Sequence, residues 1–259
     1  MVIPAQGKVS FSGTNDKITA NFVQRSNNTY MPGKVKVYGN AHSLINRGEM
    51  TTEGCFTKLF KDCVAITDAS DLILSADTLT NYCYDGMFEG CSSLTAVPAL
   101  PATTIAPSCY QGMFNNCTSL STVPTDLLPA QIDWRTGNSC YCYMFAYCTN
   151  LRNAPELPSL STWFYCYEQM FKDCHNLTVA PHLPATELYG NCYKWMFANC
   201  YKLSSISIAF SQWDGQYQRD STYGWVDGVA ANGVFTKPSG LTEQYGISFI
   251  PNNWTVINK

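Results

Sequence analysis

Six times along this chain a cysteine is followed, eight residues later, by another: Cys55/Cys63, Cys83/Cys91, Cys109/Cys117, Cys140/Cys148, Cys166/Cys174 and Cys192/Cys200. Between the members of each pair lies Leu59-Phe60, Met87-Phe88, Met113-Phe114, Met144-Phe145, Met170-Phe171 or Met196-Phe197. Three residues past the second cysteine stands Ile66, Leu94, Leu120, Leu151, Leu177 or Leu203, and Pro-containing runs such as "VPALPAT", "APELPSL" and "APHLPAT" follow. The first cysteines are 28, 26, 31, 26 and 26 residues apart. A period near 26 is the mark of units that cannot bury their own apolar face and must stack on their neighbours.

Within one unit, Cys109, Met113, Phe114 and Cys117 fall at i, i+4, i+5 and i+8, the spacing of one face of a short helix or turn. Leu120 to Val123 reads as a short extended piece ended by Pro124, which has no amide hydrogen to give a ladder. Two to four residues of strand per coil are therefore expected. The flanks alternate apolar and polar residues: "KVSFSG", "KITANFV" and "KVKVYG" before the repeat, "GVFTKP", "GISFIP" and "WTVIN" after it. Open ends of a stack expose core, so the reading is a β-rich N-terminal cap at 1–50, a repeat body at 51–207 and a β-rich C-terminal cap at 208–259.

The pattern F-x-x-C-x-x-L-x-x-[V/A/I]-P-x-L-P, carried by residues 51–207, resembles the BspA-type leucine-rich repeats of bacterial surface proteins. "GNAHSLI" (39–45) and the run from "GWVDGVAANGVF" to "IPNNWTVINK" resemble the flanks of such arrays. The resemblance implies an α/β leucine-rich-repeat solenoid of about six coils, each a short strand plus a short helix. It also implies a cell-surface or secreted place in bacteria, with adhesion or ligand binding as the role. Proline in mid-strand departs from the usual pattern.

Composition narrows the function. Charged residues make up 14% of the 259, with 16 Lys and Arg against 19 Asp and Glu and no basic run, which argues against nucleic acid. No apolar stretch reaches 18 residues, so no membrane insertion is expected. The first residues, "MVIPAQGKVSFSG", have neither a basic nor an apolar signal-peptide region. The expected state is a monomer without cofactor.

Thirteen cysteines demand a chemical reading. Zinc knuckles space their cysteines two to four apart, whereas here the interval is eight and Cys140/Cys142 has no second half. Two readings of the pairs remain open: reduced thiols stacked in a ladder, or disulfides within or between coils. A catalytic thiol needs a base; "DCHN" sets His175 beside Cys174, but Cys174 has an equivalent in every copy and the others lack the histidine. No G-x-S-x-G, H-E-x-x-H, P-loop or dinucleotide fingerprint is present, and the chain reads as a non-enzyme. "TDASD" (67–71) reads as a solvated turn, not a calcium loop.

The letters that change between copies are the ones free for a partner. Before the first cysteine stand Thr-Asn-Tyr (80–82), Ala-Pro-Ser (106–108), Gly-Asn-Ser (137–139), Trp-Phe-Tyr (163–165) and Tyr-Gly-Asn (189–191). With Trp134 and Arg135 in the longer third spacer, and Trp195, this composition suits recognition: rigid aromatic area beside adaptable hydrogen-bonding groups. Candidate partner-binding residues are Trp134, Arg135, Trp163, Phe164, Tyr165, Tyr189 and Trp195. Three successive aromatics in "WFY" cannot all face inward, so at least one is expected at the surface. The leading reading is a surface module binding a protein or glycan. The alternative is a structural spacer in a larger envelope or phage-tail protein.

Overall fold

In the computed structural model, residues 34–45, 52–128, 137–213 and 220–259 are described. Backbone hydrogen bonds show how the repeat is built. In 82–91 every amide donates, alternately to the next unit and to the residue three back. Tyr82, Tyr84, Gly86, Phe88 and Gly90 donate to Pro107, Cys109, Gln111, Met113 and Asn115, while Cys83, Asp85, Met87, Glu89 and Cys91 donate to Thr80, Tyr82, Tyr84, Gly86 and Phe88. The segment is a spiral of overlapping four-residue turns, and its free donors stitch it to the unit above. No donor is orphaned, which is what allows an irregular backbone to be buried.

Such a spiral needs a left-handed residue at every fourth position, the third residue of every second turn. The φ angles follow that rule: Tyr82, Gly86 and Gly90 at 57°, 57° and 74°; Ser108, Gly112 and Asn116 at 55°, 57° and 59°; Asn191, Trp195 and Asn199 at 59°, 52° and 62°. A regular α-helix cannot carry a left-handed residue every fourth position.

The expected leucine-rich-repeat solenoid, with a short strand plus a short helix in each coil, is therefore corrected. Among the described residues the only helix is one 3-10 turn, Ala41–Leu44, and there are five strands in two small parallel sheets. β1 (Val35–Asn40) pairs with β2 (Ile66–Ile73); β3 (Ser205–Ser207), β4 (Val234–Lys237) and β5 (Thr255–Asn258) form the second sheet. Elsewhere the proline segments touch their neighbours through single bridges, Thr78 with Thr104 and Ser161 with Glu187 among them. The physical reason is the pairing of prolines, Pro98 with Pro101, Pro155 with Pro158 and Pro181 with Pro184, which removes two donors from each such run.

Other expectations shift in detail. "TDASD" lies within β2, not in a turn, and both its carboxylates hold Lys36, at 3.0 Å from Asp68 and 2.8 Å from Asp71. "KVKVYG", "GVFTKP" and "WTVIN" overlap β1, β4 and β5, whereas "GISFIP" forms only the bridge Tyr245–Ile250. "KVSFSG" and "KITANFV" lie outside the described residues. A seventh layer without cysteines follows the sixth: Tyr193, Trp195, Phe197 and Asn199 donate to Ser221, Tyr223, Trp225 and Asp227. Its signature is Gly224 and Gly228, four apart at φ 61° and 71°.

Stacking like on like builds the core. One ring column runs His42, Phe56, Tyr84, Tyr110, Tyr141, Tyr167, Tyr193, with successive centroids 5.5–5.9 Å apart. A second runs Phe60, Phe88, Phe114, Phe145, Phe171, Phe197 at 5.3–5.8 Å. Each aromatic pair contributes about 0.5–1.5 kcal/mol beyond its buried area. At the C-terminal end the columns meet Phe210 and Trp225, whose rings pack with Trp213 and Phe235; the Trp225 indole N–H donates to Phe249 O at 2.9 Å.

The cysteines are the third building material, and all thirteen are buried thiols outside any disulfide. From the second unit on, the second cysteine donates its S–H to the Phe carbonyl of the preceding unit: Cys91 to Phe60 at 3.0 Å, Cys117 to Phe88 at 3.2 Å, and Cys148, Cys174 and Cys200 to Phe114, Phe145 and Phe171 at 3.1 Å. A small apolar side chain with one weak donor fits that position. Burial pushes the Cys109 and Cys148 thiols up to about 12 and Cys192 up to about 11.

Candidate functional site

The spiral sorts its residues by position. Taking the first cysteine as zero, positions 0, 1, 4, 5 and 8 point inward: Cys166, Tyr167, Met170, Phe171 and Cys174 are 0–1% exposed. The left-handed positions −1, 3 and 7 form vertical files along the stack, in which Ser108, Gln169 and Asn191 are buried. In those files stand five aromatic residues at positive φ: Tyr82 (57°), Tyr143 (59°), Tyr147 (62°), Tyr165 (58°) and Trp195 (52°). A bulky residue in that conformation costs roughly 1–2 kcal/mol relative to glycine. Tyr82, Tyr147 and Tyr165 are exposed.

The sequence candidates fall into two groups. Trp163, Phe164 and Tyr189 come together, with ring centroids 5.3 Å, 4.4 Å and 6.3 Å apart around the trio. Trp163 packs against the core edge, held by its amide on Cys166 Sγ at 3.4 Å, and Tyr189 is held by its amide on Thr162 Oγ1 at 3.0 Å. Leu160, 66% exposed, precedes this cluster. Tyr165, the last letter of "WFY", points to solvent from its left-handed position. Trp134 and Arg135 lie outside the described residues.

Trp195 belongs to a second group that sequence reading did not assemble. Its indole lies over Gly224, where a Cβ would approach within 2.3 Å of the ring, and Tyr223 meets it edge-on at 5.9 Å. Lys194 Nζ sits 4.8 Å and Lys172 Nζ 6.0 Å from the indole centroid, and Lys172 also covers the Tyr147 ring at 5.6 Å. Glu168, nearly buried, is 3.9 Å from Lys194, and burial raises its carboxyl above the usual range. Beside it Gln169 donates to the Tyr143 hydroxyl at 2.6 Å. The period alone did not reveal this group: Tyr147, Lys172, Lys194 and Tyr223 become neighbours only when positions two and three are set beside positions six and seven of adjacent units, which the turn geometry decides.

The residues weighed for chemistry are placed as follows. Cys174 turns its thiol to Phe145 O, whereas the His175 ring stacks on Tyr201 at 4.9 Å and lies 3.6 Å from Asp173. Among the described residues no group of three or more His, Cys, Asp or Glu is arranged to hold a metal ion, and no helix is long and apolar enough to cross a membrane. Compared with protein-family models, with curated proteins and with solved structures, the chain matches none.

Proposed function

We propose that the chain is a non-enzymatic binding module, displayed at a cell surface or secreted, that recognises a protein or glycan partner through its outward aromatic residues. One observation carries this reading: Tyr82, Tyr143, Tyr147, Tyr165 and Trp195 occupy left-handed positions that glycine fills in other units, at 54, 86, 90 and 112. Large rings kept where they strain the backbone, on the outer files, point to use by a partner. The likeness of the repeat letters to those of bacterial surface proteins supports the location. A screen of the protein against glycans and extracellular proteins tests the reading. Binding that weakens when Trp163, Tyr165 or Trp195 is changed to Ala supports it. No binding to either class would leave the structural spacer as the better account.

A further inference from the structure

We propose that the face formed by Tyr147, Lys172, Lys194, Trp195 and Tyr223 binds an acidic sugar, a monosaccharide unit that carries a carboxylate. The proposal rests on the binding-module reading and names the ligand class of one of its two aromatic groups.

Charge is the first argument. Two ammonium groups lie over one indole, at 4.8 Å and 6.0 Å from its centroid. Beside them is the carboxylate of Glu168, whose side chain is 12% exposed; it pairs with Lys194 at the long distance of 3.9 Å and accepts the Cys142 thiol, also at 3.9 Å. Lys172 makes no ion pair among the described residues; its ammonium donates to the Tyr147 hydroxyl at 3.4 Å. An anion between the two lysines supplies the missing charge and takes up their remaining donors, since each ammonium has three.

Rigidity is the second. Trp195 is fixed from below by Gly224 and from the side by Tyr223, so a sugar held by the two lysines meets a pre-set aromatic edge with little ordering cost. Size is the third. The group spans four consecutive units, about 15 Å at the usual spacing of roughly 4.8 Å between hydrogen-bonded strands. That matches one or two sugar rings, whereas a stable protein interface takes roughly 800 Å² from each partner, a patch about 28 Å across. Aromatic faces flanked by cations and hydroxyls suit a ring with one apolar face and an acidic substituent.

The test is calorimetric titration of the whole chain with sialyllactose, its methyl ester and lactose, and with a glucuronic-acid disaccharide, alongside an extracellular-protein array. The expected result is binding of a carboxylate-bearing sugar that weakens about tenfold or more on esterification and in Lys172→Ala and Lys194→Ala. Trp195→Ala abolishes it, and Tyr189→Ala, in the other aromatic group, leaves it unchanged. Unfolding midpoints of all four variants are measured alongside. Equal binding of lactose or of the ester, or binding confined to proteins, overturns the acidic-sugar proposal while the binding-module reading stands. Absence of any binding in both panels overturns both.

Discussion

The second and third units and the fourth to sixth share one backbone and treat it in opposite ways. At the left-handed positions the former place mostly residues that adopt φ near +60° at little cost, Gly86, Gly90, Gly112 and Asn116, with Tyr82 as their one aromatic. The latter place Tyr143, Tyr147, Tyr165, Gln169 and Trp195 at the same angles. Inward positions do not differ: Tyr110 and Tyr167, Phe114 and Phe171, Cys117 and Cys174 are equally buried. The core is thus spent on stacking alike in both halves, and four of the five strained outer rings stand in one of them, Tyr82 being the exception. A fold that needed those rings for stability would put them inside.

The comparison can be broken most severely from the inside. Phe114 is fully buried, with Phe88 and Phe145 at 5.8 Å and 5.6 Å. Phe114→Ala interrupts the column and is expected to cost about 3–5 kcal/mol, read from urea unfolding. A loss under 1 kcal/mol would mean that the ring columns do not hold the stack.

Alkali should act on the same interior next. Burial raises Cys109 and Cys148 to about 12 and Cys192 to about 11, from 9.0. A folded state that keeps protons the unfolded state gives up has its full thiol contribution below pH 9 and loses it as pH rises towards 11–12. Stability measured by chemical unfolding at pH 8, 9.5 and 10.5 is expected to fall steadily. Alkylation of native protein at pH 8 should label none of the thirteen cysteines, and denatured protein all of them; a mass deficit of two hydrogens per pair would show disulfides instead.

The backbone cost can be read alone at Gly112, where a Cβ would meet nothing nearer than Asn115 Cβ at 3.8 Å. Gly112→Ala is expected to destabilise by about 1 kcal/mol, the cost of a left-handed L-residue without any clash. A neutral or stabilising result would remove the strain argument for Tyr147 and Trp195 as well.

What was legible in the sequence follows from periodicity, and so does what was not. Cys109, Met113, Phe114, Cys117 and Leu120 were read as inward, and all are fully buried. The conformation that turns them inward was misread. Positions 0, 4, 5 and 8 span about 140° on a helical wheel of 3.6 residues per turn, so nine residues do not separate a helix from a four-residue turn spiral. The discriminating letters were the outward ones: Gly86 and Gly90 in "YDGMFEGC" stand four apart, and Asp62, Gly90, Asn116, Asp173 and Asn199 fill position seven. Those types favour the left-handed region, and Gly at two such places argues against a helix. The Trp195 group was illegible for another reason. It joins different positions of adjacent units, and which positions meet depends on the turn geometry that the period alone does not specify.

The central claim is that the outer aromatics are kept for a partner and not for the fold. The double replacement Tyr147→Gly/Tyr165→Gly tests it most directly, by thermal unfolding and by titration of whatever ligand the screens identify. Each site loses an exposed ring and regains a residue suited to φ of 62° and 58°. The account predicts an unfolding midpoint unchanged or raised, within about 1 kcal/mol of the parent, together with weakened binding. A midpoint lowered as far as in Phe114→Ala, or binding unaffected by the change, would contradict it.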